Sequence, residues 1–157
     1  MSEASVRSAR GGDLERLVSF NRAMALETEG KDLPVDVLER GMGRVLADRL
    51  RGRYFVAELE GEVVGGLMLT LEWSDWRDGW FWWIQSVYVE PSSRRRGIYR
   101  ALYEHVLDQA RAEEDVCGVR LYVEESNEPA RAVYERLGMT PTSYRLYEVD
   151  FREEPGE

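Results

Sequence analysis

The sequence holds one cysteine, Cys117, and one histidine, His105. A single thiol cannot form an intrachain disulfide, which fits a reducing compartment. One imidazole without a cysteine pair leaves no zinc-binding spacing, and no Ser-His or Cys-His couple for nucleophilic catalysis. Cys117 falls in a strand pattern and is expected to be a small buried apolar residue. His105 is expected inside a helix. No apolar run is long enough to span a bilayer, and residues 1–10 carry no signal-peptide core. The expected location is therefore cytoplasmic, away from membranes. The phosphate-loop pattern G-x-x-x-x-G-K-[ST] is missing, which excludes a P-loop nucleotidase. Positive net charge is missing as well. A formal charge of −9 gives no general attraction to nucleic acid or anionic lipid and favours cationic partners such as amines.

What is present suits one globular domain. With 157 residues, 43% hydrophobic and 32% charged, the chain can bury a core of its own. No repeat or linker divides it. A single domain is expected over residues 1–151, followed by a charged tail over residues 152–157.

Hydrophobic periodicity orders the chain. Residues 5–9 form a short strand. Asp13 caps a helix carrying Leu14, Leu17, Val18 and Met24 at helical spacing. Residues 25–33 read as a polar break, with Gly30 as the stop and Pro34 opening a second helix through Val35, Leu38, Met42 and Val45. Gly41 and Gly43 weaken that helix by roughly 1 kcal/mol each relative to alanine. Strands over residues 54–59 and 63–71 flank the hairpin turn Glu60-Gly61, and Asp78-Gly79 signals another turn before a long strand over residues 80–89. A helix over residues 98–112, a strand over 116–123, a short helix between Asn127 and Gly138, and a last strand over 142–151 complete the order. The strand–helix–strand unit from Trp80 to Val123 requires a right-handed crossover and a parallel pair, whereas the preceding hairpins are antiparallel. The fold class is thus α/β (α+β), a mixed central sheet of six to seven strands with helices on both faces.

The most informative stretch runs from Ser86 to Leu102. An alternating strand ends at Glu90-Pro91, a basic loop follows, and a helix begins at Ile98. The first turn of a helix has unpaired N–H groups and about half a positive charge from the macrodipole. Gly97 lets backbone approach a ligand, and Arg94, Arg95, Arg96 and Arg100 supply forked donors suited to phosphate. Their order of importance stays open.

Arg94-x-x-Gly97-x-Tyr99 after such a strand resembles the acyl-CoA diphosphate loop of the GNAT superfamily of N-acetyltransferases, whose pattern is Q/R-x-x-G-x-G/A. Tyr99 departs from the small third residue, so its ring must point away from the diphosphate. Asn127-x-x-Ala130-x-x-x-Tyr134 resembles that superfamily's second coenzyme segment. The resemblance implies strands that splay apart after residues 89 and 123, with main-chain groups of Val87, Tyr88 and Val89 pairing with pantetheine. It implies that N–H groups from Arg95 through Gly97 and Ile98 to Tyr99 meet the diphosphate, and that Asn127 and Ala130 border the coenzyme. Tyr134 would protonate the departing thiolate. Arg131 is a candidate for the adenosine 3′-phosphate.

The implied activity is direct acetyl transfer from acetyl-CoA to a primary amine, of a small molecule or a peptide. A protonated amine cannot attack a thioester, so a base is required. The superfamily's strand glutamate is Gln85 here, and an amide cannot serve. Glu27 and Glu29 border the acceptor side in that architecture; Glu72, Asp75 and Asp78 flank a loop rich in tryptophan. The five tryptophans, Trp73, Trp76, Trp80, Trp82 and Trp83, belong to a core or dimer surface, or else hold a cationic acceptor against a ring. A homodimer is expected. No metal is required. The alternative reading is a non-catalytic module of the same fold that binds acyl-CoA as a sensor or interaction partner.

Overall fold

The computed structural model describes residues 3–152. These fall into two compact units, the first ending at Tyr122 and the second starting at Val123.

The first unit contains a five-stranded sheet in chain order, β1 (Ser5–Ser8), β2 (Arg53–Leu59), β3 (Glu62–Ser74), β4 (Gly79–Val89) and β5 (Val116–Leu121). Its first three pairings are antiparallel and β4–β5 is parallel, as the hairpins and the crossover require. Glu60 and Gly61 both take positive φ at the β2–β3 turn, the geometry that matches the twist of a two-residue hairpin.

Alternation along β2 divides the core between two sheet faces. Tyr54 and Val56 pack with Leu17, Val18 and Phe20 of α1 (Leu14–Glu29) and Met42 of α2 (Val35–Ala47). Phe55, between them, meets the His105 ring edge-on from α3 (Ile98–Ala112) at 5.0 Å. Burial lowers the pKa of His105, although Asp108 opposes the shift, so the imidazole serves packing. The α3 residues Ile98, Leu102, Tyr103, Val106 and Ala110 are all buried. Burying an aliphatic side chain of this size contributes roughly 1.5–3 kcal/mol, which fixes the helix whose N-terminus carries the basic loop. Gly66 permits the close seat of α1: a Cβ there would lie 2.9 Å from Leu17 Cδ2.

Three expectations need correction. Residues 142–151 join no strand ladder, so the sheet has five strands instead of six or seven among the described residues. Alternating apolar residues give strand propensity, but a strand exists only where a neighbour takes its hydrogen bonds. The break between α1 and α2 is also shorter than residues 25–33. Nothing before Gly30 stops the helix; Gly30 ends it in the left-handed conformation, and Lys31 N–H reaches back to the Ala25 carbonyl at 3.2 Å. Glu27 and Glu29 therefore occupy the last turn of α1. Finally, Cys117 is exposed, because β5 is the outermost strand, and its thiol meets the Trp80 carbonyl at 3.4 Å.

The second unit contains α4 (Glu128–Arg136), capped at Asn127, whose side-chain oxygen accepts from the Ala130 N–H at 3.2 Å. Gly138 follows the helix with φ of 94°. Arg152 is exposed; the remainder of the charged tail, residues 153–157, lies outside the described residues.

Candidate functional site

The open edge of β4 begins where its partner stops. Parallel pairing with β5 runs from Trp80↔Val116 to Ile84↔Leu121, yet β4 continues to Val89. Over residues 85–89 no strand covers that side among the described residues. On the other side Glu90 N–H donates to the Val64 carbonyl at 2.8 Å, and the antiparallel register continues through Gly65↔Val89, Gly66↔Tyr88 and Leu67↔Val87. Backbone groups in such a ladder alternate between facing the partner and facing away. Glu90 and Tyr88 thus bond to β3, while Val89 and Val87 turn their N–H and C=O groups to the open edge. Of the three residues expected to offer backbone to pantetheine, Val87 and Val89 turn theirs to the uncovered side and Tyr88 turns its toward β3.

After Val89 the chain makes a short 3-10 turn, Pro91–Ser93, that buries Ser93. Arg95 and Gly97 then adopt positive φ, 66° and 76°. For a non-glycine residue that conformation costs about 1–2 kcal/mol. Gly97 occupies the N-cap position of α3 and, having no side chain, supplies no cap bond to that helix. The loop therefore sets a helix N-terminus beside clustered positive charge.

The four arginines separate into two kinds. Arg100 is engaged with Glu104, one turn along α3, at 2.8 Å. Arg95 and Arg96 are exposed and make no side-chain hydrogen bond or ion pair among the described residues. Arg94 folds back over the strand it follows. Its Nε donates to the Val89 carbonyl at 2.9 Å, one terminal nitrogen donates to Glu27 Oε2 at 2.9 Å, and its guanidinium lies 5.3 Å from the Tyr88 ring centre.

Glu27 is the hub of this group. Its other oxygen accepts from the Tyr88 hydroxyl at 3.0 Å. Arg94, and after it Tyr88, hold the Glu27 carboxyl below the usual carboxylate range. Burial, reinforced by Glu27, pushes the Tyr88 hydroxyl up, so it remains a donor. Beside this group a narrow cleft between α1 and the sheet is lined by Phe20, Asn21, Met24, Met68, Ser86 and Tyr88. The neighbouring salt bridge between Arg16 of α1 and Glu90 ties helix and strand end together, with Arg16 Nε also on the Val63 carbonyl at 3.0 Å.

The other base candidates have different surroundings. Glu29 is exposed and is not part of the Arg94 group. Glu72 is bound to Arg120 at 2.6 Å. Asp75 and Asp78 lie in the exposed β3–β4 turn with no side-chain hydrogen bond or ion pair among the described residues. Gln85 donates to the Thr70 hydroxyl at 2.7 Å. The tryptophan cluster already has cations of its own: Arg53 stacks over Trp82 at 4.3 Å, and Arg120 lies 5.9 Å from Trp83. Those rings serve packing. In the second unit Tyr134 is half-buried on α4, and Arg131 donates to the Glu125 carbonyl at 3.1 Å.

Sequence reasoning missed the Tyr88 hydroxyl and the pairing of Arg94 with Glu27. The partners are 61 and 67 positions apart, and no local pattern signals such a contact.

A strand edge left uncovered by β5 and leading into a basic loop at a helix N-terminus is an arrangement for a long anionic ligand. Residues 22–139 match the model of the acetyltransferase (GNAT) family. The chain belongs to that family. A crystal structure of a possible acetyltransferase from Clostridium difficile 630 superposes with a TM-score of 0.90 at 43% identity, covering 96% of this chain and 99% of that one. An N-alpha-acetyltransferase of Sulfurisphaera tokodaii is 28% identical over 145 residues, 87% of this chain and 80% of that protein. A mycothiol acetyltransferase of Beutenbergia cavernae is 40% identical over 78 residues; that match spans half of this chain and only 26% of the relative. The GNAT assignment accounts for the mixed sheet, the order of its elements and the position of the loop. Among the described residues no helix is long and apolar enough to cross a membrane, and no cluster of His, Cys, Asp and Glu could hold a metal ion.

Proposed function

We propose that this GNAT-family protein is an acetyl-CoA-dependent N-acetyltransferase acting on a primary amine of a small molecule or peptide. The observation that carries the reading is the continuity of the open β4 edge with the amides around Gly97. In this reading the outward backbone groups of Val87 and Val89 pair with the pantetheine amides. The N–H groups from Arg95 to Tyr99 receive the diphosphate, with the exposed Arg95 and Arg96 as counter-charges. Asn127 and Ala130 border the coenzyme, a role taken from the family motif.

Acetyl transfer then needs three proton and charge movements. The neutral amine nitrogen attacks the thioester carbon while backbone N–H groups at the strand edge stabilise the oxyanion. The carbon–sulfur bond breaks and the thiolate takes a proton from Tyr134, by analogy with the family. The proton lost by the amine passes to a carboxylate, directly or through water. Glu27 is the favoured acceptor because it alone among the candidates bonds both Arg94 of the coenzyme loop and Tyr88, which lines the cleft under α1. Glu29 is the second choice.

Release of free thiol from acetyl-CoA, followed over a panel of primary amines and amino-terminal peptides, tests the activity. Amine-dependent release is expected. Tight coenzyme binding with no release on any amine would favour a non-catalytic acyl-CoA-binding module instead. A homodimer is the favoured assembly, because residues 142–151, outside the sheet, expose Tyr144, Leu146, Tyr147, Val149 and Phe151. Light scattering should give twice the chain mass.

A further inference from the structure

Arg94 sits in two places that an acyl-CoA would need. Its Nε–H occupies the Val89 carbonyl, one of the few outward acceptors of the open edge. Its terminal nitrogen is engaged with Glu27 at the end of α1. A guanidinium has five N–H donors in a fixed fork, and a diphosphate binds such a fork more strongly than a single carboxylate oxygen does. The Arg94–Glu27 pair is itself partly exposed, with side chains 44% and 42% accessible. Exposed pairs of this kind are worth only about 0.2–1 kcal/mol, weak enough for a charged ligand to displace.

We propose that Glu27 and the coenzyme diphosphate compete for Arg94, so that coenzyme binding frees the Glu27 carboxylate for the acceptor amine. The inference rests on the acetyl-CoA reading above. Without coenzyme, Arg94 joins α1 to the end of β4, covers the Val89 carbonyl and occupies one oxygen of Glu27. The Tyr88 hydroxyl occupies the other. As the diphosphate draws the guanidinium away, a pantetheine amide can take the Val89 carbonyl, and Glu27 retains only the Tyr88 donor. Glu27 thereby acts as a positioning residue for Arg94 before the coenzyme arrives, and becomes available as a proton acceptor afterwards. An acceptor amine would meet a competent carboxylate only in the coenzyme complex. That order avoids a wasted encounter.

The test is calorimetric titration with coenzyme A of the wild type, Glu27→Gln, Arg94→Ala and the double variant. Removing the competitor should tighten coenzyme binding about two- to five-fold in Glu27→Gln, the range exposed ion pairs provide. A mere structural defect would weaken it. Arg94→Ala should bind more weakly than the wild type, and adding Glu27→Gln to it should change nothing further. Glu27→Ala gives the same comparison if the glutamine variant does not fold. Equal or weaker binding by the folded Glu27 variants overturns the competition while the acetyl-CoA reading stands. Tightening that persists without Arg94 also overturns it, since removal of negative charge alone would then explain the gain. If the wild type binds no coenzyme A, the functional reading fails together with the inference.

Discussion

The Tyr88 hydroxyl donates to Glu27 Oε1 across 3.0 Å, joining the C-terminal end of β4 to the last turn of α1. The bond helps to keep Glu27 ionised, second to the bond from Arg94. Tyr88→Phe should therefore raise the Glu27 titration midpoint while leaving it below that of an ordinary glutamate, because Arg94 remains. Carboxyl-carbon NMR across a pH series measures this directly. An unchanged midpoint would show that the hydroxyl does not act on this carboxylate.

Tyr134 is assigned the proton donor's part. Tyr134→Phe should lower kcat at least ten-fold, about 1.4 kcal/mol in barrier height, with coenzyme affinity nearly intact. Steady-state kinetics beside calorimetry separate the two quantities. A variant as fast as the wild type would remove Tyr134 from the mechanism.

A different ion pair serves stability. Arg7 grips both oxygens of the buried Asp13 at 2.8 and 3.0 Å, and the Arg10 N–H adds a third bond at 2.7 Å. Arg7 first, then the Arg10 backbone, hold the Asp13 carboxyl below the usual range despite its burial. A group depressed in the folded state stabilises it above the unfolded pKa, and that contribution fades as pH falls through the folded value. Asp13→Asn should cost about 1.5–3 kcal/mol at neutral pH. In urea melts the gap from the wild type should narrow below the ordinary carboxylate range. A gap independent of pH would mean that packing, and not charge, explains the loss.

The order of the elements along the chain and the place of the basic loop between β4 and α3 were legible in the sequence because their signals are local. Glu60-Gly61 specifies its hairpin by backbone conformation, and Gly97 marks the start of α3 by the same means. Register with β3 could not be read, so neither could the division of labour in which Val87 and Val89 face outward and Tyr88 faces β3. The Arg94–Glu27 contact depends on where α1 crosses the sheet. That crossing is set by tertiary packing such as the seat of Leu17 against Gly66. Residues 142–151 show the reverse failure. Their alternation is a sound strand signal, but pairing partners are a property of the fold, and local propensity does not supply them.

The account rests on main-chain amides around Gly97 receiving the coenzyme diphosphate. Gly97 has φ of +76°, with open space where a Cβ would stand, so a β-branched residue there acts through backbone strain alone. Coenzyme A titrated into the wild type and Gly97→Val under one set of conditions tests the claim most directly. The wild type should bind, and the variant should bind at least ten-fold more weakly while its thermal unfolding shows an intact fold. Equal affinity in the two proteins would contradict the assignment of this loop.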